Sequence, residues 1–264
     1  MDRISQKFID LKKANQKALV GYITAGDPNF ETSKQIMVQA CNAGIDVLEM
    51  GVPFSDPTSD GPVIQRAAGR AIANGMNLKK VLELVKALRS EGLETPIILF
   101  SYYNPIFHYG VEAFGKDAIA AGADGALIVD LPPEESAEFT DVVSKDFPLI
   151  HLIAPTTDGQ RLPEIVKTAS GFIYLITRTG VTGVGGLDIP AIEANVKRVR
   201  SQTQNPVCLG FGISTADDAR KLRDVADGIV IGSAFEKIIE ENLTATNLPA
   251  LMATKVSEIK SALK

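Results

Sequence analysis

One acid in the stretch Leu48–Pro62, LEMGVPFSDPTSDGP, has the surroundings that proton transfer needs. Glu49 stands near the end of a short apolar run, Val47–Gly51, and is the only acid set directly inside the end of such a run. Burial there disfavours the carboxylate, raises its pKa and suits the group to move protons near neutral pH. A buried glutamate paired with a neighbouring donor for packing reasons would look the same. The loop that follows is rich in Gly, Pro, Ser and Asp and adds two more carboxylates, Asp56 and Asp60. A second kind of chemistry is written in glycines. TRTGVTGVGG, GFGIS and GSAFEK each follow an apolar run, and the last opens a helix. Backbone N–H groups in such turns, together with a helix N-terminus, suit a phosphate group. One glycine turn is ordinary turn chemistry; three at strand ends point to a phosphorylated small molecule.

Other chemistries find little support. A Schiff base needs a lysine near a strand end, and no lysine stands in or directly after these runs. The two histidines, His108 and His151, are far apart and lack ligand spacing, so no metal is expected. His151 lies within an apolar run and reads as a core or pocket residue; His108, in NPIFHYG, reads as part of a loop. Cys41 and Cys208 form no CxxC and fit buried thiols in a reducing compartment. The formal charge is −5 with no basic stripe, which argues against nucleic acid as a partner. The N-terminal segment is polar and helix-like, and no apolar run approaches the ~20 residues of a membrane span. A soluble cytoplasmic protein is expected.

The elements that must position these groups alternate. Strands are expected at Ala18–Thr24, Val47–Gly51, Pro96–Tyr102, Gly125–Asp130, Leu149–Ala154, Gly171–Thr177, Val207–Gly212 and Gly228–Gly232. Several are continuous apolar runs, as in parallel strands covered on both faces. Leu78, Val81, Leu82, Val85 and Leu88 keep helical spacing, as do Ile189, Ile192, Val196 and Val199. Ser214 reads as the N-cap of a helix with Asp217 and Asp218 in its first turn. GIDVLEMG, GADGALIVD and VADGIVIG share an Asp that leads into a strand, a faint internal echo. Eight strands alternating with helices fit a (β/α)₈ TIM barrel with an extra N-terminal helix, one domain over residues 1–264. The competing doubly wound sheet would favour a GxGxxG turn after the first strand, and VGYITAGDPNFE has none. In a barrel the active site collects at the C-terminal strand ends, where Glu49 falls.

With these residues in place the chain resembles the tryptophan synthase α subunit family. LEMGVPFSDPTSDGP closely resembles its signature, and YITAGDP, YYNPI, VDLPPEES, LIAPTT, GVTG, GFGIS and GSA follow in the family's order along the whole chain. The resemblance implies retro-aldol cleavage of indole-3-glycerol phosphate to indole and glyceraldehyde 3-phosphate. It makes Glu49 the general acid–base, Asp60 the carboxylate that steadies positive charge on the indole nitrogen, and Tyr174 a catalytic neighbour of the glycerol. Tyr22, Phe100, Leu127 and Ile153 would wall the indole pocket. Thr182 would bond Asp60 as the sixth loop closes, and Gly183, Phe211, Gly212, Gly232 and Ser233 would line the phosphate end. The resemblance also implies a β-subunit partner in an α2β2 tetramer, with Asn104 and Asp130 at the contact. Pyridoxal phosphate would belong to that partner, and no cofactor to this chain.

Thr58, Ser59, Phe100 and Thr177 depart from the family's usual residues. Hydroxyls at 58 and 59 could bond Asp60 and lower its pKa. Glu49 should be the more buried acid and Asp60 the more charged. A catalytically weak subunit kept for allosteric activation, and a barrel isomerase acting on another sugar phosphate, remain as alternatives.

Overall fold

A computed structural model describes residues 2–177 and 187–264. Eight parallel strands close into a barrel in chain order: β1 (Ala18–Thr24), β2 (Val47–Gly51), β3 (Ile97–Ser101), β4 (Gly125–Ile128), β5 (Leu149–Ile153), β6 (Ile173–Ile176), β7 (Val207–Gly210) and β8 (Gly228–Ile231). Each pairs with the next, and β8 pairs with β1. Six strands are shorter than the apolar runs suggest, because flanking residues such as Asp130, Ala154 and Gly212 leave the ladder for the loops. Around them lie α1 (Arg3–Lys13), α2 (Phe30–Ala43), α3 (Pro62–Ala73), α4 (Leu78–Ser90), α5 (Tyr103–Tyr109), α6 (Val111–Ala121), α7 (Ala137–Thr140), α8 (Leu162–Thr168), α9 (Ile189–Arg200), α10 (Ala216–Leu222), α11 (Ser233–Glu241) and α12 (Leu248–Ala262).

Alternation along the strands sorts the core into two shells. Val20, Val47, Ile98, Leu127, Ile150, Tyr174, Cys208 and Val230 meet inside the barrel. Leu19, Ile23, Leu48, Met50, Leu99 and Leu175 face outward against the helices. The helical spacing seen in the sequence does this work: all five periodic residues of α4 are buried, as are Ile192, Val196 and Val199 of α9. The extra helix α1 closes the barrel floor. Asp2 caps it by accepting the Ser5 N–H, and Ile4, Phe8 and Leu11 join the inner shell, with the Phe8 and Phe172 rings 5.6 Å apart. Burying each such side chain stabilises the fold by about 1.5–3 kcal/mol.

The three echoed aspartates have a shared role at the opposite, N-terminal end. Asp46, Asp124 and Asp227 each precede a strand, and each accepts the backbone N–H of a neighbouring strand's residue: Leu19, Ile97 and Val207. Each also donates its own N–H to the carbonyl of that same residue. Cations complete them: Lys260 meets Asp46 at 2.6 Å, Arg89 meets Asp124 at 2.6 Å and Arg200 meets Asp227 at 3.0 Å. The echo is thus a repeated device for starting strands.

Two expectations need correction. The cap of α10 is Thr215, whose hydroxyl accepts the Asp218 N–H while Asp218 accepts the Thr215 N–H; Ser214 stands one residue outside. His108 lies in helix α5, which starts directly after β3, and not in a loop. Among the described residues, no helix is long and apolar enough to cross a membrane.

Candidate active site

Glu49 lies in β2 beside Tyr22 of β1 and Ile98 of β3, so it faces the barrel interior. It is 1% exposed, and its Oε1 has no hydrogen-bond partner among the described residues. Burial pushes its pKa up to about 8. A buried carboxyl with a free oxygen costs stability, and such sites cluster where proteins do chemistry.

Asp60 ends the loop after β2, just before Gly61 caps α3 and Pro62 opens it. Burial raises its pKa to about 6, opposed by a hydrogen bond from Tyr102. That tyrosine stands at the C-terminal end of β3, between the strand and α5. Its hydroxyl donates to Asp60 Oδ2 at 3.2 Å and accepts the Ser59 N–H at 2.9 Å, while its ring packs 5.3 Å from Phe54. One side chain on the rigid barrel therefore pins both ends of the loop. At pH 7 the two acids therefore differ in charge, Glu49 neutral and Asp60 ionised.

Aromatic rings form the walls. Tyr22 and Phe100 meet edge to face with centroids 5.1 Å apart, and Tyr174 and Phe211 do so at 6.1 Å. Glycines make room for the tyrosines. A Cβ on Gly51 would lie 2.2 Å from the Tyr22 hydroxyl, and one on Gly210 would lie 2.2 Å from that of Tyr174. Both tyrosines are buried with raised pKa values, chiefly from desolvation, so they stay as neutral phenols. Leu127 lies deeper in the inner shell. Across the mouth, Phe211 and Gly212 take positive φ values of 72° and 76°, Gly232 sits against Tyr22, and Ser233 opens α11.

The sequence profile of a family described as tryptophan synthase alpha chain matches residues 8–264. The chain belongs to that family. It is 54% identical over 265 residues to the tryptophan synthase alpha chain of Desulfosudis oleivorans, covering all of both chains. It is 52% identical to that of Desulfatibacillum aliphaticivorans, over 99% of each. The crystal structure of tryptophan synthase subunit alpha from Legionella pneumophila superposes with a TM-score of 0.92 at 38% identity, covering 100% of this chain and 98% of that one. The reaction of tryptophan synthase alpha chains is the cleavage of indole-3-glycerol phosphate, a carbon–carbon lyase step of tryptophan biosynthesis.

Set against this family, most of the residues singled out in the sequence come together at the barrel mouth: Glu49, Asp60, Tyr22, Phe100, Tyr174, Phe211, Gly212, Gly232 and Ser233. Ile153 does not join them. It packs in the outer shell, whereas Leu152, register partner of Tyr174, packs against the inner one. Thr182 and Gly183 lie outside the described residues. Thr58 and Ser59 offer Asp60 no side-chain bond among the described residues; its donor is Tyr102, and burial outweighs that donor, so the pKa rises rather than falls. Thr177 ties β6 to the seventh loop by donating to the carbonyls of Gly210 (2.9 Å) and Phe211. Asp130, beyond β4, accepts the Tyr103 N–H at 2.6 Å and so anchors the start of α5. Asn104 is exposed on that helix, near the 66% exposed Phe107. His151 points out of the barrel, its Nε2 3.3 Å from the Thr168 hydroxyl, and burial lowers its pKa to about 4.

Tyr102 and Glu236 were missed as site residues. Nothing local in the sequence marks Tyr102, since its contact with Asp60 spans 42 positions. Glu236 appeared only as a letter of GSAFEK, although it is wholly buried and its Oε1 accepts the Thr24 N–H at 2.6 Å.

Proposed function

We propose that this chain cleaves indole-3-glycerol phosphate with Glu49 as the proton carrier and Asp60 as the fixed charge. The observation that carries the assignment is the free, buried Oε1 of Glu49 on a rigid strand, facing the same mouth as an Asp60 held by Tyr102. Glu49, neutral at pH 7, gives its proton to C3 of the indole. The ring nitrogen becomes positive, and the Asp60 carboxylate stabilises it through the N–H. The Glu49 carboxylate so formed takes the proton of the glycerol hydroxyl next to the ring. The carbon–carbon bond then breaks, its electrons return to the indole ring, and the hydroxyl carbon leaves as the aldehyde of glyceraldehyde 3-phosphate. Glu49 ends protonated, as it began, so one group serves both transfers.

Tyr174 borders the glycerol in this reading, and Tyr22, Phe100 and Leu127 clasp the indole, with Leu152 in the place expected of Ile153. Phosphate sits on the N–H groups of Gly212, Gly232 and Ser233 at the start of α11, where the helix dipole favours an anion. Thr182 and Gly183, outside the described residues, are assigned to substrate binding. The loop that carries Asp60, together with α5 and its exposed Asn104 and Phe107, forms the docking face for a β subunit in an α2β2 complex. Pyridoxal phosphate stays with that partner, because every proton transfer assigned here falls to a carboxyl of this chain. Two buried free cysteines support a reducing, cytoplasmic setting.

The deciding assay is indole release from indole-3-glycerol phosphate by the purified chain, with and without a compatible β subunit. Glu49→Gln and Asp60→Asn should each lose at least about a hundredfold in kcat, the scale of a general acid–base contribution, while still binding glycerol 3-phosphate. If either variant turns over at the wild-type rate, its assignment is wrong. If the wild type releases no indole yet stimulates the β reaction, the chain is a regulatory subunit.

A further inference from the structure

The mechanism leaves one buried acid beside the phosphate end unused. Glu236 lies in the first turn of α11, one helical step from Ser233, and is wholly buried. The Thr24 N–H that it accepts points toward β8, which has already ended at Ile231, so Glu236 stands in for the missing ladder carbonyl. Its second oxygen, Oε2, is buried without a partner among the described residues.

The charges around it are already committed. From the loop after β1 comes Asp27, itself buried, held by Arg70 of α3 through bonds of 2.9 and 2.7 Å. Arg70 also reaches Glu240 of α11 at 3.2 Å, and Arg66 of α3 grips Glu240 at 2.6 and 2.9 Å. Tyr22 of β1 is a neutral phenol. Helix α12 packs on α11 as well, but its Lys255 pairs with Glu258 and its Lys260 with Asp46. Among the described residues, three carboxyls thus share two guanidiniums, and Glu236 is the one without a cation. Burial, and then the charge of Asp27, push its pKa up to about 8.

We propose that Glu236 is a positioning residue that must stay protonated for the phosphate end of the substrate to bind, so that its ionisation weakens affinity for phosphate monoesters. The proposal rests on the reading of Gly232 and Ser233 as the phosphate site. A protonated Glu236 holds Thr24 and adds no charge under an incoming dianion; a carboxylate there repels it. Coupling is reciprocal: a bound dianion that raises the acid's pKa by one unit binds about tenfold more weakly once the acid has ionised.

The probe is glycerol 3-phosphate, titrated calorimetrically into the full chain from pH 7 to 9.5, where it stays a dianion because its second pKa is near ~6. Wild-type Kd should rise about tenfold over that range, and Glu236→Gln, which copies the neutral acid, should hold within about twofold. At pH 8.5 the wild type and Glu49→Gln should take up a proton on binding, seen as heat that scales with the buffer's ionisation enthalpy, and Glu236→Gln should not. Equal pH dependence in wild type and Glu236→Gln overturns the proposal. So does wild-type binding without proton uptake, a result that needs no variant to fold. Failure of the wild type to bind the probe at pH 7 is a different outcome: it refutes the phosphate site itself, and this inference with it.

Discussion

Replacing Tyr102 with phenylalanine removes one oxygen and asks whether Asp60 is held or merely nearby. The ring is 3% exposed and packed on Phe54, so phenylalanine fills the same space. What disappears is the donor to Asp60 Oδ2 at 3.2 Å and the acceptor of the Ser59 N–H at 2.9 Å. A hydrogen bond to a charged group contributes about 1.5–3 kcal/mol, and a bond of this length belongs at the low end. About 1.5 kcal/mol is roughly one pKa unit. Asp60 sits at about 6 with the bond in place, so it should titrate near ~7 without it. Its ionised fraction at pH 7 then falls from about nine-tenths to about half. In kcat/KM for indole release, followed across pH, the wild type should give a bell whose limbs fall near the values for Asp60 and Glu49, about 6 and about 8. In Tyr102→Phe the acid limb should move up by about one unit while the alkaline limb stays. A freed loop should also lower the plateau, by up to about a hundredfold if the carboxylate drifts by an ångström. An acid limb that does not move, under an unchanged plateau, would show that Tyr102 neither holds nor tunes Asp60.

Glu49→Gln should leave a pH signature in stability. The raised carboxyl destabilises the fold as pH climbs from its ordinary 4.5 toward about 8, and the gap to pH 7 is worth about 3 kcal/mol. The wild type should therefore lose that much stability relative to Glu49→Gln between pH 4 and 7 in urea melts; parallel curves would mean that Glu49 is solvated. Gly210→Ala drives a Cβ into the Tyr174 ring, which should cost about 1–3 kcal/mol by overpacking and raise KM for the substrate; unchanged kinetics would remove Tyr174 from the site. Arg70→Ala strands the buried Asp27 and should cost about 3–5 kcal/mol in denaturant unfolding; a loss under about 1 kcal/mol would class the pair with weak surface bridges.

Legibility in the sequence divides along physical lines. The barrel could be read because parallel strands covered on both faces are continuous apolar runs, and Glu49 because a charge inside such a run is conspicuous. The same continuity hid the error at Ile153. Where both faces of a strand are apolar, hydropathy carries no parity, and Leu152 and Ile153 cannot be told apart until the register with Tyr174 is known. At the start of α10 the hydroxyls of Ser214 and Thr215 are adjacent in sequence, and it is the reciprocal bonding of Thr215 with Asp218, on a Thr215 backbone extended at φ −124° and ψ 159°, that places the cap at Thr215. Tyr102 and Glu236 act across 42 and 212 positions of chain, on a loop and on a strand end. Such contacts are set by how strands and helices are stacked, and no local pattern encodes them.

The barrel treats its acids differently at its two ends, and this is the strongest argument for where its work is done. At the N-terminal end Asp46, Asp124 and Asp227 each receive a backbone N–H and a cation. Their charges are neutralised, and their energy goes into starting strands. At the C-terminal end the only buried carboxyl oxygens left without partners among the described residues belong to Glu49 and Glu236. A fold selected for stability alone would have supplied donors there, or apolar residues of similar volume, which often cost nothing. Cations do reach that end, since Arg66 and Arg70 stand close by, yet they are spent on Asp27 and Glu240. Glu49 and Glu236 are thereby left able to change charge near neutral pH, one facing the indole end of the proposed substrate and the other beneath its phosphate. The stability recovered in Glu49→Gln and the flattened binding profile of Glu236→Gln therefore each report a buried acid left free to titrate, the first against the unfolded chain and the second against bound phosphate.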